Sequence, residues 1–293
     1  MLTFYIVDVF AEEKYTGNQL AVFTDSASLS DTEMQRIANE MHFSETTFLT
    51  SLKVKKGGYD VRIYTPQQEL PFAGHPTLGT AYVIAKEIIQ EPVESLIVNL
   101  KVGQIPVSFR QDREYGEILW MKPNEPTFER ILEPESLAEV LGLETTDVDE
   151  RYPVQEVSTG VPAIMVPLKS LSALKRIQIE MNSYARLGQQ ADAKIILAFC
   201  PETYRSENHL NVRVFAHYYG VPEDPATGAA NSCLAGYLTK HHYFAENPAD
   251  IRVEQGYEIR RPSLLHLKSE ERQGRIDVWV GGKVAMVAVG HFV

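Results

Sequence analysis

Apolar and polar positions alternate enough through Leu2–Phe10 to predict a strand, and Tyr59–Tyr64, Ser95–Leu100, Gly103–Phe109 and Glu117–Met121 also read as strands. Leu20–Phe23, Ala193–Phe199 and Arg275–Val280 read as further strands, and Val284–Val289 as a last one. Elsewhere the period becomes helical. Ser30-Asp31-Thr32-Glu33 has capping-box spacing, after which Met34, Ile37, Ala38 and Met41 fall on one face of a helix ending near His42. Pro134–Leu143 predicts a short amphipathic helix, and residues 170–187 one polar helix. Two segments have almost no polar face. One runs from Pro76 through Leu78, Ala81, Tyr82, Val83 and Ile84 to Ala85; the other, Pro225–Thr239, has no charge and is dense in Ala, Gly and Ser. A helix apolar all round is a buried helix.

The two buried helices have similar surroundings. Val61-Arg62-Ile63-Tyr64 precedes Gly74-His75-Pro76, as Val212-Arg213-Val214-Phe215 precedes Asp224-Pro225-Ala226. Arg62 and Arg213 are 151 positions apart (213 − 62), and Pro76 and Pro225 are 149 apart (225 − 76), near half of the 293 residues. Thr16-Gly17 before Ala21-Val22 recurs as Thr159-Gly160 before Met165-Val166. The chain therefore reads as two copies of one unit, each built around a buried helix. Pro123-Asn124-Glu125-Pro126 marks the crossing, giving halves of 1–122 and 123–282, with 283–293 returning to the first.

Composition narrows the function. A hydrophobic fraction of 44% with 23% charged residues fits a globular protein with two cores. A formal charge of −11 and no basic run argue against nucleic acid and anionic membranes as partners. Without a spanning apolar stretch, a secretory leader or a cysteine framework, the expected location is cytoplasmic. H-E-x-x-H, a P-loop and G-x-G-x-x-G after a strand are all missing, so neither a metal nor a cofactor is expected.

The first turn of a helix has N–H donors without partners and a partial positive charge, so a buried start beside glycine suits a carboxylate. With Pro at the first helical position, His75 caps one helix and Asp224 the other, and both would bind a small polar ligand. Each has a plainer reading: Asp224 is a good N-cap, and Glu45 alone is an ordinary surface or capping carboxylate. Cys200 and Cys233 read as small core residues, and His241-His242 as a solvated helix end.

Taken together, Asp8-Val9-Phe10, Gly17-Asn18, Ser44-Glu45-Thr46, Arg62-Ile63-Tyr64-Thr65-Pro66, Gly74-His75-Pro76-Thr77-Leu78-Gly79, Glu223-Asp224-Pro225-Ala226-Thr227-Gly228, Gln255-Gly256 and Arg261-Pro262-Ser263 resemble the PhzF family of phenazine-biosynthesis-like isomerases. The resemblance covers essentially the whole chain. It implies an α+β fold shared with diaminopimelate epimerase: two pseudo-symmetric halves, each a mostly antiparallel barrel-like sheet around a central helix, with the active site between them. It also implies a homodimer and a cofactor-free isomerase in which a glutamate, here Glu45, shuttles a proton. His75 and Asp224 match the substrate-binding partners, while Asn18, Gly74, Thr227, Gly228 and Ala229 match the rest of the pocket.

Ala229 stands where the family's phenazine enzyme has serine, so a different substrate is expected. The related epimerases place a cysteine at each helix start. Here those places match Ala73 and, roughly, Pro225, which disfavours two-thiol racemisation. A non-catalytic binding protein of the same fold is the other alternative. For Glu45 to act as a base at neutral pH, burial beside Phe43 and Phe48 is expected to raise its pKa above the usual value of about 4.3.

Overall fold

The computed structural model describes residues 1–245 and 249–293. Met1–Lys122 with Gly281–Val293 forms one compact unit, and Pro123–Val280 the other.

In the first unit the order is β1 (Leu2–Val9), β2 (Asn18–Phe23), α1 (Asp31–Met41), β3 (Glu45–Leu49), β4 (Tyr59–Tyr64), β5 (Glu69–Leu70) and α2 (Gly74–Val83). The strands β6 (Ser95–Leu100), β7 (Gly103–Asp112) and β8 (Gly116–Met121) complete the run. β1 pairs antiparallel with β2, β2 parallel with β3, β3 antiparallel with β4, β4 parallel with β6, and β6, β7 and β8 antiparallel in turn. The chain's last strand, Val284–Phe292, lies antiparallel on the other side of β1. α2 touches β1, β2, β3, β6, β7, β8 and that last strand, so sheet surrounds it. Gly79 permits the closest approach: a Cβ there would lie 2.6 Å from Leu20 Cδ2 and 2.8 Å from Val9 Cγ2.

The second unit runs β9 (Thr127–Ile131), α3 (Pro134–Leu141), β10 (Gln155–Ser158), β11 (Pro162–Pro167), α4 (Leu171–Arg176), α5 (Met181–Gln190), β12 (Ile195–Cys200) and β13 (Leu210–Ala216). It continues with β14 (Val221–Asp224), α6 (Gly228–Lys240), β15 (Ala249–Gln255) and β16 (Ser263–Arg272). β17 (Arg275–Gly282) ends at two residues of the first unit, before β18 (Val284–Phe292). β10–β11 is antiparallel, β11–β12 parallel, β12–β13 antiparallel, β13–β15 parallel and β15–β16 antiparallel. This is the order of pairings from β1 to β7. β9 lies antiparallel on β10 as β18 does on β1.

Outer helices cover the opposite sheet faces. Met34 and Ala38 of α1 pack on Ala21, Phe23, Phe48 and Tyr64. Residues of α3, α4 and α5 pack on Ile164, Val166, Ile196, Ala198 and Phe215. With both faces covered, every residue of β12 is buried, and its sequence is a continuous apolar run rather than an alternation. The single polar helix expected over 170–187 is instead α4 and α5. Arg213 Nη1 takes the carbonyls of Leu174 and Ile177, and Gln178 N–H donates to Leu141 O, so the chain leaves α4 to join the end of α3.

Candidate active site

β2 and β3 are parallel neighbours with Leu20 opposite Glu45. Side chains alternate along a strand, so Asn18 and Leu20 of β2 share the face turned to α2 with Glu45 and Thr47 of β3. The contacts agree: Leu20 closes on Gly79, Thr47 Oγ1 lies 2.8 Å from Thr80 Oγ1, and Asn18 and Glu45 both reach His75. Two strand residues advance about 6.7 Å and five helix residues about 7.5 Å. The Glu45–His75 and Thr47–Thr80 contacts therefore place α2 alongside β3 in the same sense.

Glu45 Oε2 lies 3.4 Å from His75 Nε2, with side-chain exposures of 16% and 6%. Asn18 Nδ2 faces His75 Nδ1 at 3.3 Å. Burial pushes the imidazole pKa down to about 3, only partly offset by a hydrogen bond with the Gln19 backbone, so the ring is neutral at ordinary pH. A neutral ring 3.4 Å away makes the Glu45 contact a polar one rather than an ion pair. Nε2 and Glu45 Oε2 approach without forming a hydrogen bond, and the ring also bonds the Gln19 backbone.

Phe43 and Phe48 do not shield Glu45. Phe48 points to the other face of β3, stacked on Phe23 at 5.2 Å, and Phe43 packs in the same cluster under α1. The expectation erred on the strand's two-residue parity.

Neither helix begins where the proline rule placed it. α2 starts at Gly74 with Ala73 as N-cap, so His75 and Pro76 are its second and third residues and His75 caps nothing. The first helical bond runs from Thr77 N to Ala73 O. Pro76 is tolerated because no first-turn N–H has an intrahelical acceptor. α6 starts at Gly228 with Thr227 as N-cap, and Asn231 N makes the first bond, to Thr227 O. Asp224 is the last residue of β14, not the cap. The first turn therefore presents the amides of Gly74 and His75 in one unit, and of Gly228, Ala229 and Ala230 in the other.

The second unit gathers Asp224, Thr227, Gly228 and Ala229 on one short segment. Thr227 Oγ1 donates to Asp224 Oδ2 at 2.5 Å. Beneath the segment, Gln255 bonds the backbone of both Asp224 and Thr227. Gly256 has φ +78, and a Cβ there would lie 2.6 Å from Pro225 O. The sequence showed Gln255-Gly256 as a motif without a role. What it does emerges only when β15 lies under the start of α6.

The observed starts also correct the repeat. One offset relates Glu69 to Glu223, Pro71 to Pro225, Ala73 to Thr227 and Gly74 to Gly228, so Pro71 rather than Pro76 is the partner of Pro225. By that offset the residue of the second unit equivalent to Ala73 is Thr227, not Pro225. Cys200 and Cys233 lie buried in β12 and α6, with burial pushing their thiols up to about 12 and about 11. Among the described residues no group of three His, Cys, Asp or Glu is placed to hold a metal, and no helix is long and apolar enough to cross a membrane.

A family profile described as phenazine biosynthesis-like protein, PhzC-PhzF, matches residues 7–290. The chain belongs to this family. It is 33% identical to the trans-2,3-dihydro-3-hydroxyanthranilate isomerase of Pseudomonas aeruginosa over 294 residues, 99% of each chain. To the enzyme of that name from Pseudomonas fluorescens it is 34% identical over 275 residues, 93% of this chain and 92% of the relative. A solved PhzF-family phenazine biosynthesis protein of Bacillus anthracis aligns over all of this chain and 99% of its own, with a TM-score of 0.91 and 28% identity. This PhzF-family protein is an isomerase.

Proposed function

We propose that this isomerase moves a proton within a small, cyclic, carboxylate-bearing metabolite, with Glu45 as the single acid/base and no cofactor. The observation that carries the reading is the Glu45 carboxyl held 3.4 Å from a buried, neutral imidazole at the start of a buried helix. In the forward half-step Glu45 takes a proton from an acidic carbon, whose electron pair moves into the adjacent unsaturated system. In the second half-step the Glu45 carboxylic acid returns that proton to another carbon. First-turn amides suit the charge that develops on the substrate between the two. His75 orients the substrate as a neutral hydrogen-bonding group. Asp224 and Thr227, with the amides of Gly228 and Ala229, are assigned the substrate's polar substituents. The methyl of Ala229 offers no hydroxyl there, which favours a substrate other than the one named for the Pseudomonas relatives.

The test is solvent exchange. In D2O, trans-2,3-dihydro-3-hydroxyanthranilate and a panel of cyclic unsaturated carboxylates are incubated with enzyme and examined for deuterium. Incorporation by the native protein that Glu45→Gln abolishes, at unchanged melting temperature, is the expected result. Incorporation that persists in Glu45→Gln removes Glu45 from the role.

A further inference from the structure

We propose that Gln255 is a positioning residue for Asp224, acting through the hydroxyl of Thr227; the inference rests on the assignment of Asp224 to substrate binding made above. Gln255 ends β15 and is fully buried. Both ends of its amide serve the segment that precedes α6. Oε1 accepts from Thr227 N at 3.2 Å and from Asn231 Nδ2 at 2.9 Å. Nε2 donates to Asp224 O at 2.7 Å and to Thr227 Oγ1 at 3.1 Å.

Backbone groups settle which way this amide points. Thr227 N–H is only a donor and Asp224 C=O only an acceptor, so a flipped amide would face donor with donor and acceptor with acceptor. With the NH2 end fixed on Thr227 Oγ1, the hydroxyl must accept there. Its one proton is then directed at Asp224 Oδ2, 2.5 Å away. The relay runs one way, from Gln255 to Thr227 to Asp224, and pins one carboxylate oxygen as an acceptor. Asn231 steadies it from the next turn of α6, where Nδ2 also donates to Thr227 O at 3.0 Å. Gly256 seats the Pro225 turn from below. Removing either Gln255 or the hydroxyl is expected to release Asp224.

The experiment follows the Asp224 carboxyl by 13C NMR, assigned with Asp224→Asn, in native protein, Gln255→Met, Thr227→Val and Thr227→Ser. A hydrogen bond to the ionised form favours ionisation. The Asp224 titration midpoint should therefore rise in Gln255→Met and Thr227→Val, and return to the native value in Thr227→Ser. A midpoint unmoved in either of the first two variants overturns the relay. Should Gln255→Met fail to fold by circular dichroism, the Thr227→Val and Thr227→Ser pair decides the matter alone. With the member of the cyclic carboxylate panel above that incorporates deuterium fastest as probe, kcat/KM should fall about tenfold in Gln255→Met, the factor that corresponds to about 1.4 kcal/mol of lost positioning. If Asp224→Asn leaves turnover intact, the assignment of Asp224 is wrong, whereas the NMR comparison needs no substrate and still judges the relay.

Discussion

His75 is buried, and the cost of protonating it there sets a pH dependence. Its pKa falls from 6.5 to about 3 in the folded protein. Between those values the unfolded chain binds a proton that the folded one refuses. The resulting stability is whole above pH 6.5 and is lost as pH drops toward 3, at about 1.4 kcal/mol per unit. His75→Gln should remove that slope, read from urea denaturation at several pH values; the same slope in the variant would mean that other groups cause it. The two cysteines make a second residue-scale case. Burial holds both thiols far above neutrality, so iodoacetamide at neutral pH should label neither in the native protein and leave activity unchanged. Labelling with loss of turnover would restore a thiol mechanism.

At the scale of elements, each unit secures the approach to its buried helix with a bidentate arginine. Arg62 grips Glu69 of β5 through Nε and Nη2, and Arg213 grips Glu223 of β14 likewise. The clamps differ in surroundings. Glu69 also receives Lys101 Nζ at 2.6 Å, and Arg62 is 24% exposed, whereas the Arg213 and Glu223 side chains are 9% and 11% exposed. Arg213→Leu therefore strands a carboxylate and should cost about 3–5 kcal/mol, while Arg62→Leu leaves Glu69 its Lys101 partner and should cost less. Chemical denaturation of the two variants measures the difference, and equal losses would contradict it.

Much of this level was legible. The arginine strands, the capping box of α1 and the two apolar helices all follow from residue spacing. The helix starts did not, because Pro71 and Pro225 precede their helices and Pro76 is the third residue of α2, so no proline marks the first position of α2 or α6. Parity misled at Phe48, since β3 is covered on both faces and its alternation is weak. Gln255 was unreadable for another reason: a buried amide resembles any polar residue until a distant loop supplies its four partners.

For the whole molecule, the repeated order of strand pairings explains why one binary pattern occurs twice in the sequence. A sheet enclosing a helix must read the same way wherever it is built. Family membership and the α+β class were legible in the motifs, because glycines and prolines at helix approaches are required by backbone geometry. The first unit differs from the second in how it is finished. β9 is available to β10 at once, but β1 receives β18 only after the whole second unit has been traversed. Phe292 of β18 also packs its ring edge on Phe4 and Phe23 at 5.3 and 5.2 Å. Deleting residues 283–293 should expose the edge of β1 and open the cluster under α1. Rapid proteolysis within residues 1–122, with 123–280 persisting, is the expected pattern; uniform digestion would refute it.

The late arrival of β18 has a consequence for synthesis. A ribosome delivers the complete second unit while the N-terminal segment still lacks its closing strand. β1 can therefore pair with β2 early, but its other edge stays open until the whole second unit has been translated.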